Sequence, residues 1–374
     1  MSGKQILVTG GAGFIGSHVC RELLRHGHRV RALDSLSVQV HGPDRNRPAY
    51  LDPEVELEVG DVRNAADVRK ALRGVDAVFH FVAAVGVGQS MYQIREYSSV
   101  NNIGTAVLLE ALVEKPVERL VVASSMSIYG EGLYKAGDGS TRVVGERSID
   151  QLRAADWTVR DSSGEELTPI PTPESKQPSL ASVYALHKYD QERTCLMIGR
   201  AYSIPTVALR FFNVYGPDQA LTNPYTGVLA IFASRLMNGQ PPVLFEDGFQ
   251  QRDFVSVYDV ARACRLAMET PRAEGKVFNI GSGHRYAIRT VAQRMAAVLG
   301  KPRIRPEITG QYRVGDIRHC FADISLAREV LAYKPQVSLE DGLADLARWL
   351  DKQAVMARVP DARAELAVRG LMVG

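Results

Sequence analysis

Cysteine is scarce and scattered. The four residues, Cys20, Cys195, Cys264 and Cys320, form no CxxC pair. A disulfide framework or a zinc site is therefore not expected, no metal centre is expected, and a reducing cytoplasmic compartment fits. An excess of one charge is also missing. The formal net charge of +3 is too balanced to point to nucleic acid or an anionic membrane. No basic tract with interleaved aromatics occurs, which again argues against nucleic acid. Apolar runs reach only strand length, so no segment is expected to span a bilayer. The first run begins almost at the N-terminus, which leaves no room for a signal peptide. What remains is the composition of a globular protein, 45% hydrophobic and 23% charged, with 374 residues for one large domain or two smaller ones.

The runs that do occur alternate in kind. Residues 6–9, 30–33, 57–59, 77–81 and 120–123 read as short buried strands. Between them, residues 14–26, 67–72 and 97–113 read as helices, the first with Phe14, Ile15, Val19, Leu23 and Leu24 on one apolar side. Strands alternating with helices predict right-handed crossovers and an α/β fold, a doubly wound parallel sheet covered on both faces.

"LVTGGAGFIGSH", residues 7–18, places Gly10, Gly13 and Gly16 between the first strand and the first helix. In that context the pattern predicts a dinucleotide cradle. Gly10 allows the tight turn, Gly13 lets backbone N–H groups approach a pyrophosphate, and Gly16 lets helix and strand pack closely. The anion would lie at the positive end of the helix dipole. Asp34 ends the second strand, where a carboxylate accepts from ribose hydroxyls and repels a 2′-phosphate. Ser35 and Leu36 follow it, not an arginine, so NAD is expected rather than NADP.

Tyr184 and Lys188 stand four apart in "SVYALHK" and share one helix face. An ammonium beside a phenol stabilises phenolate, so this tyrosine can act as a general base towards an alcohol. "VVASSMSIYG", residues 121–130, supplies serines at a neighbouring strand end.

Over about residues 4–350 the chain resembles the extended short-chain dehydrogenase/reductase family, the class acting on nucleotide sugars. The resemblance implies a Rossmann-type sheet with a smaller, interleaved C-terminal substrate domain. It would divide the chain into residues 1–206, binding NAD; 207–350, mainly for substrate with returns to the sheet near 207–212 and 277–280; and an extension at 351–374. It assigns catalysis to Ser125, Tyr184 and Lys188. Cofactor contacts would come from Gly10, Gly13, Phe14, Ile15, Gly16, Asp34, Asp61 and Val62, then from Phe81, Val82, Ala83, Asn101 and Phe212, with Tyr184 and Lys188. Substrate contacts would come from Ser125, Ser127, Asn213, Val228, Arg252, Arg313 and Asp316, the two arginines on a diphosphate. Val85 stands where some hexose epimerases carry a lysine near the cofactor.

The resemblance also narrows the reaction. The 4,6-dehydratases carry an Asp-Glu pair where Met126 and Ser127 stand. Uronate decarboxylases usually carry glutamate at the position of Ser127, and uronate 4-epimerases often carry threonine at that of Asn213. A nucleotide-sugar 4-epimerase working through transient oxidation at C4 is expected, on a dTDP- or UDP-linked sugar. Alternatives are a UDP-hexose or UDP-uronate 4-epimerase, a 4-reductase or dehydratase, and a non-catalytic NAD-binding regulator, which would be expected to lose the triad. Residues 35–42, 133–174 and 223–236 resemble the dTDP-L-rhamnose 4-epimerase type. The second of these is an insertion rich in Gly, Pro and Ser before Tyr184. It reads as a long loop with one short helix near 149–155, placed either as a lid over the sugar or as a surface excursion. Residues 351–374 read as a loose surface helix. Family analogy adds a homodimer through the helices at 97–113 and 184–201.

Overall fold

The computed structural model describes residues 3–220, 227–313, 315–353 and 363–373. The side chains of residues 363–365 and 373 are outside that description, as are parts of the expected motifs at 223–226, 314 and 354–362.

Seven strands form the central sheet: β1 Gln5–Thr9, β2 Arg29–Asp34, β3 Glu56–Val59, β4 Ala77–His80, β5 Arg119–Ser125, β6 Thr206–Phe211 and β7 Val277–Ile280. Their order is β7-β6-β5-β4-β1-β2-β3, and every pairing is parallel. Successive side chains go to opposite faces of a strand, and both faces are covered here. Ile6 and Val8 pack with Val19 and Leu23 of helix α1 (Phe14–Arg25), together with Val260 and Cys264. Leu7 and Val78 pack on the other side with Leu108 and Leu112 of α2 (Gly104–Glu114) and Cys195 of α3 (Val183–Ala201). This is a Rossmann-type doubly wound sheet. The chain runs outward from β1 to β3, then returns to the far side of β1 with β4. That reversal opens a crevice beyond the C-terminal strand ends.

The expected helix at 97–113 is not one regular α-helix. Ile94–Tyr97 leads into a π-turn at Ser98–Ile103 before α2 begins. The π-turn shifts the hydrogen bonding by one residue, which the sequence does not announce.

A smaller lobe packs Leu229 and Ala233 against Val291 and Met295 and against Leu339, Leu343 and Leu346. The insertion is more ordered than a loop. Leu133–Lys135 pairs on both sides, with Thr141–Val143 and Thr168–Ile170. Tyr134, Ala136, Val159 and Leu167 make a core of its own. Ile149–Arg153 is its short helix, capped by Ser148. Past the end of the small lobe, Arg363–Val368 is helical, and Met372–Val373 pairs antiparallel with Tyr312–Arg313.

Candidate active site

The crevice holds a cavity of about 730 Å³ that runs from the ends of β1 and β2 past β5 into the small lobe. At one end stands the glycine turn. Gly10 has φ +71, a left-handed conformation that side chains rarely adopt. A Cβ on Gly16 would lie 2.1 Å from the Gly10 carbonyl oxygen, so only glycine lets α1 pass this close. Gly13 caps α1 without a side chain, which leaves the first amides of the helix open to the cavity. Asp34 faces the same end. Its Oδ2 accepts from the Ala12 amide at 3.1 Å and its Oδ1 from the Leu36 amide at 2.9 Å. Those bonds fix the carboxylate and leave further lone pairs for ribose hydroxyls. An anion-ready helix terminus, a turn too tight for side chains and an anchored acid fit NAD.

Of the expected cofactor residues, Phe14, Ile15, Asp61, Val62, Phe81, Val82, Ala83 and Phe212 line this cavity along with those already named. Bonded through its side chain to Arg63, Asp61 sits below the usual carboxylate range. Asn101 does not line the cavity. It is fully buried in the π-turn, and its side chain bridges the N–H and carbonyl of Ala84 at 2.7 and 3.1 Å. It thus holds the loop after β4 rather than facing the cofactor.

Ser125, Tyr184 and Lys188 meet midway along the cavity. Ser125 ends β5. Tyr184 lies in the first turn of α3, whose N-terminus is capped by Ser182, and its amide donates to Ser90 Oγ at 3.0 Å. Lys188 follows one turn later. Burial pushes the Tyr184 phenol up to about 12, and a hydrogen bond from Ser125 pulls against that shift. Burial draws Lys188 down to about 8, opposed by the nearby Cys195 and Glu192. In the protein alone, burial therefore outweighs the Ser125 hydrogen bond in setting the phenol.

At the small-lobe end, Asn213 and Val228 line the cavity. The Asn213 Oδ1 atom is buried with no partner among the described residues. Gln219 lines the same end, and its Oε1 is likewise buried without a partner among the described residues. Two such oxygens call for donors from a ligand. The other expected substrate residues lie outside the lining. Ser127 sits behind Ser125. Arg252 spends its guanidinium on the carbonyls of Gln251, Arg318 and Ile317, and approaches Asp316 at 3.5 Å. Arg313 meets the same carboxylate at 2.8 Å. Burial would raise Asp316, but Arg313 and Arg252 hold it below the ordinary carboxylate range.

None of residues 133–174 lines the cavity, so of the two placements left open, lid or surface excursion, the geometry fits the excursion. The insertion is braced elsewhere. Arg147 forms paired bonds with Glu246 at 2.8 and 3.1 Å, and Thr172 bridges to Ala322. Sequence reasoning missed Gln89, Gln219 and Arg45, all of which line the cavity. Arg45 caps the carbonyls of Leu36 and Ser35 at 3.2 and 2.7 Å. Only its distance from Asp34 kept it out of the ribose-loop reading.

The chain is 36% identical to a dTDP-L-rhamnose 4-epimerase of Burkholderia thailandensis, over 94% of this chain and 96% of that one. A UDP-glucose 4-epimerase from Thermotoga maritima, solved with UDP-glucose, superposes with a TM-score of 0.75 at 30% identity, covering 94% of this chain and 99% of that one. A Thermus thermophilus UDP-glucose 4-epimerase solved with NAD gives a TM-score of 0.73 at 30% identity, over 93% and 99% of the two chains. The family profile begins within β1, at residue 6, and ends just past β7, at residue 281, so it reaches every strand of the sheet and takes in Ser125, Tyr184 and Lys188: this chain belongs to the NAD dependent epimerase/dehydratase family.

Proposed function

We propose that the chain is an NAD-dependent nucleotide-sugar 4-epimerase, an isomerase, with dTDP-L-rhamnose as its first candidate substrate. One observation carries the reading. Ser125, Tyr184 and Lys188 share the cavity that the glycine turn opens, and the residues after Ser125 add no second proton-transfer group. Met126 is buried, and Ser127 is spent on Ser125, to whose Oγ its own Oγ donates at 2.9 Å.

NAD held by the glycine turn and Asp34 supplies a hydride acceptor and donor at C4, so oxidation and re-reduction cancel. The protein's part is proton transfer and positioning. The Tyr184 Oη removes the proton of the C4 hydroxyl and later returns it. Ser125 donates to that oxygen, and the Lys188 ammonium favours its phenolate. Arg252 and Arg313 are proposed to hold the diphosphate as charge-assisted pairs and Asp316 the nucleotide ribose. Supporting this, both guanidiniums already converge on one carboxylate. Held mainly by its nucleotide, the sugar can turn over between the two transfers. The unpartnered oxygens of Asn213 and Gln219 favour a neutral sugar, rich in hydroxyl donors, over a uronate. We assign residues 1–206 to NAD and 207–350 mainly to substrate.

A homodimer is proposed through the helices around α2 and α3, on which Ile103, Leu186 and Met197 are about half exposed. The cytoplasm is proposed as the compartment because all four cysteines are buried and free. Among the described residues, no helix is long and apolar enough to cross a membrane.

The deciding experiment incubates the protein with dTDP-L-rhamnose, UDP-glucose and UDP-glucuronate in deuterated water and follows products by NMR and mass. An isomer inverted at C4, with unchanged mass and no carbon-bound deuterium, is expected. Loss of water or carbon dioxide, deuterium at C3 or C5, or a need for stoichiometric NADPH overturns the reading.

A further inference from the structure

We propose that Gln191 is a positioning residue for Lys188, tying its ammonium through a buried hydrogen-bonded chain to the two strands that carry the cofactor loops. The inference rests on the reading of Lys188 as the partner of Tyr184.

The chain starts at Lys188 Nζ, which donates to Gln191 Oε1 at 2.7 Å. Gln191 is itself 1% exposed, and its Nε2 donates to Thr105 Oγ1 on α2 at 2.8 Å. The Thr105 hydroxyl donates to the Asn101 carbonyl inside the π-turn. A hydroxyl has one proton, so Thr105 can only accept from its remaining neighbour, His80 Nε2 at 2.9 Å. His80 therefore carries its proton on Nε2, and its Nδ1 accepts from Thr9 Oγ1 at 2.9 Å. Thr9 Oγ1 in turn accepts from the amides of Phe81 and Val82 at 3.2 and 3.4 Å. From Gln191 to Thr9 each bond pairs one donor with one acceptor when His80 is neutral. Burial and then Lys188 push the imidazole down to about 3, which agrees with that assignment.

The route has a consequence for position. Thr9 precedes Gly10, and Phe81 and Val82 begin the loop after β4. The ammonium is thus registered against both cofactor loops through one set of bonds. An ammonium has three donors, so Gln191 occupies one and leaves others for the cavity that Lys188 lines.

The route also has a consequence for charge. Tyr184, Glu192 and Cys195 lie on the helix of Lys188, and His80 faces it from β4. The Glu192 carboxylate is already taken by Arg210, at 2.6 and 2.8 Å, and by Ser124 at 2.7 Å. Burial pushes the Cys195 thiol up to about 12, so it stays protonated. Thr105 on α2 and Asn101 in the π-turn are uncharged. Gln191 is the group that accepts from the ammonium at hydrogen-bond distance, and it stabilises the charged form. Without it, burial acts on Lys188 less opposed and the amine loses its proton at lower pH, so wherever bound dinucleotide brings the ionisation of Tyr184 into the range in which Lys188 titrates, the phenolate loses its cationic neighbour and forms only at higher pH.

The test uses the protein as purified with its dinucleotide, carrying Gln191→Leu, Thr105→Val or Thr105→Ser. Ionisation of Tyr184 is read as tyrosinate absorbance, as the difference from the same protein with Tyr184→Phe. This readout needs no sugar, so it stands even if the substrate reading fails. Gln191→Leu is expected to move that ionisation up by about half a pH unit or more, and to lower kcat at neutral pH about tenfold with KM within about twofold. Thr105→Val should move both in the same direction, and Thr105→Ser, which keeps the hydroxyl, should stay within about twofold of the parent. If Gln191→Leu does not fold, the Thr105 pair decides. An unmoved Tyr184 ionisation in a folded, dinucleotide-bearing Gln191→Leu protein overturns the proposal. So does a Thr105→Val protein that titrates and turns over like Thr105→Ser.

Discussion

Ser127 holds Ser125 twice, donating its backbone N–H at 3.1 Å and its hydroxyl at 2.9 Å to the same Oγ. With both lone pairs engaged, the Ser125 proton is directed outward, to the Tyr184 oxygen it stabilises. Ser125→Ala is expected to cost about tenfold to a hundredfold in kcat. Ser127→Ala removes one of two restraints and should cost only about threefold, the scale of a single neutral hydrogen bond. Steady-state rates on the substrate found by NMR check this. A Ser127→Ala protein as slow as Ser125→Ala would mean that Ser127 handles a proton itself, and the second acid–base group excluded above would return.

Tyr184→Phe should bind dinucleotide and lose about a hundredfold or more in kcat. Lys188→Met tests the sign of the electrostatics. Burial raises the phenol to about 12 and only Ser125 opposes it in the protein alone. Removing the ammonium leaves Tyr184 without its cationic neighbour, so the acidic limb of the kcat profile should move to higher pH. The Lys188 ammonium is charged below about 8 and loses its proton above it. Its contribution should therefore fade as pH rises through that value in the parent and be missing throughout in Lys188→Met. A limb that stays in place would separate Lys188 from the tyrosine.

Asp34→Asn keeps the shape of the side chain and removes its charge. The carboxylate accepts from two backbone amides and is proposed to accept from ribose hydroxyls as well. Its loss should weaken NAD about tenfold or more, the size of one charge-assisted bond. Denatured protein should then release less than one dinucleotide per chain, measured by chromatography. NADP should gain relative to NAD, since the repelling charge is gone and Arg45 lines the same end of the cavity. Unchanged NAD content would move the ribose contact elsewhere.

How much was legible follows from range. The sheet was readable because most of its strands are apolar runs and most of its crossovers carry an amphipathic helix, β3 with its Glu56 and Glu58 being the exception. The glycine turn, Asp34, Tyr184 and Lys188 were readable because their chemistry depends on short spacing. The insertion was misread as a loop because its strands are three residues long. Its core is one buried tyrosine, Tyr134, with three smaller apolar residues around it, and no periodicity signals that. The π-turn was hidden because it differs from a helix by one residue of hydrogen-bond shift. Gln191, Thr105, His80 and Thr9 were not legible as a group because their partnership exists only once three elements are packed together.

The tail is the other feature that spacing could not show, and it yields the last prediction. Met372 and Val373 add a strand to Tyr312–Arg313, so these two residues lie on the segment proposed to hold the diphosphate. One turn earlier, the Arg369 guanidinium lies 3.9 Å from the centre of the Tyr92 ring. Tyr92 stands two residues after Ser90, the residue that accepts from the Tyr184 amide. The tail thus bridges the loop that seats the catalytic helix and the strand that carries Arg313. A cation over an aromatic ring contributes about 0.5–1 kcal/mol at an exposed site, so Arg369→Ala should raise the sugar-nucleotide KM by about twofold to fivefold. Because neither contact touches the reacting atoms, kcat should hold within about twofold. Ending the chain after Gln353 should have the larger effect of the two, since it also removes the added strand. Initial rates across substrate concentration separate the outcomes. An Arg369→Ala protein with unchanged KM would reduce the tail to a surface attachment, and a fall in kcat alone would place its effect on Tyr184 rather than on the nucleotide.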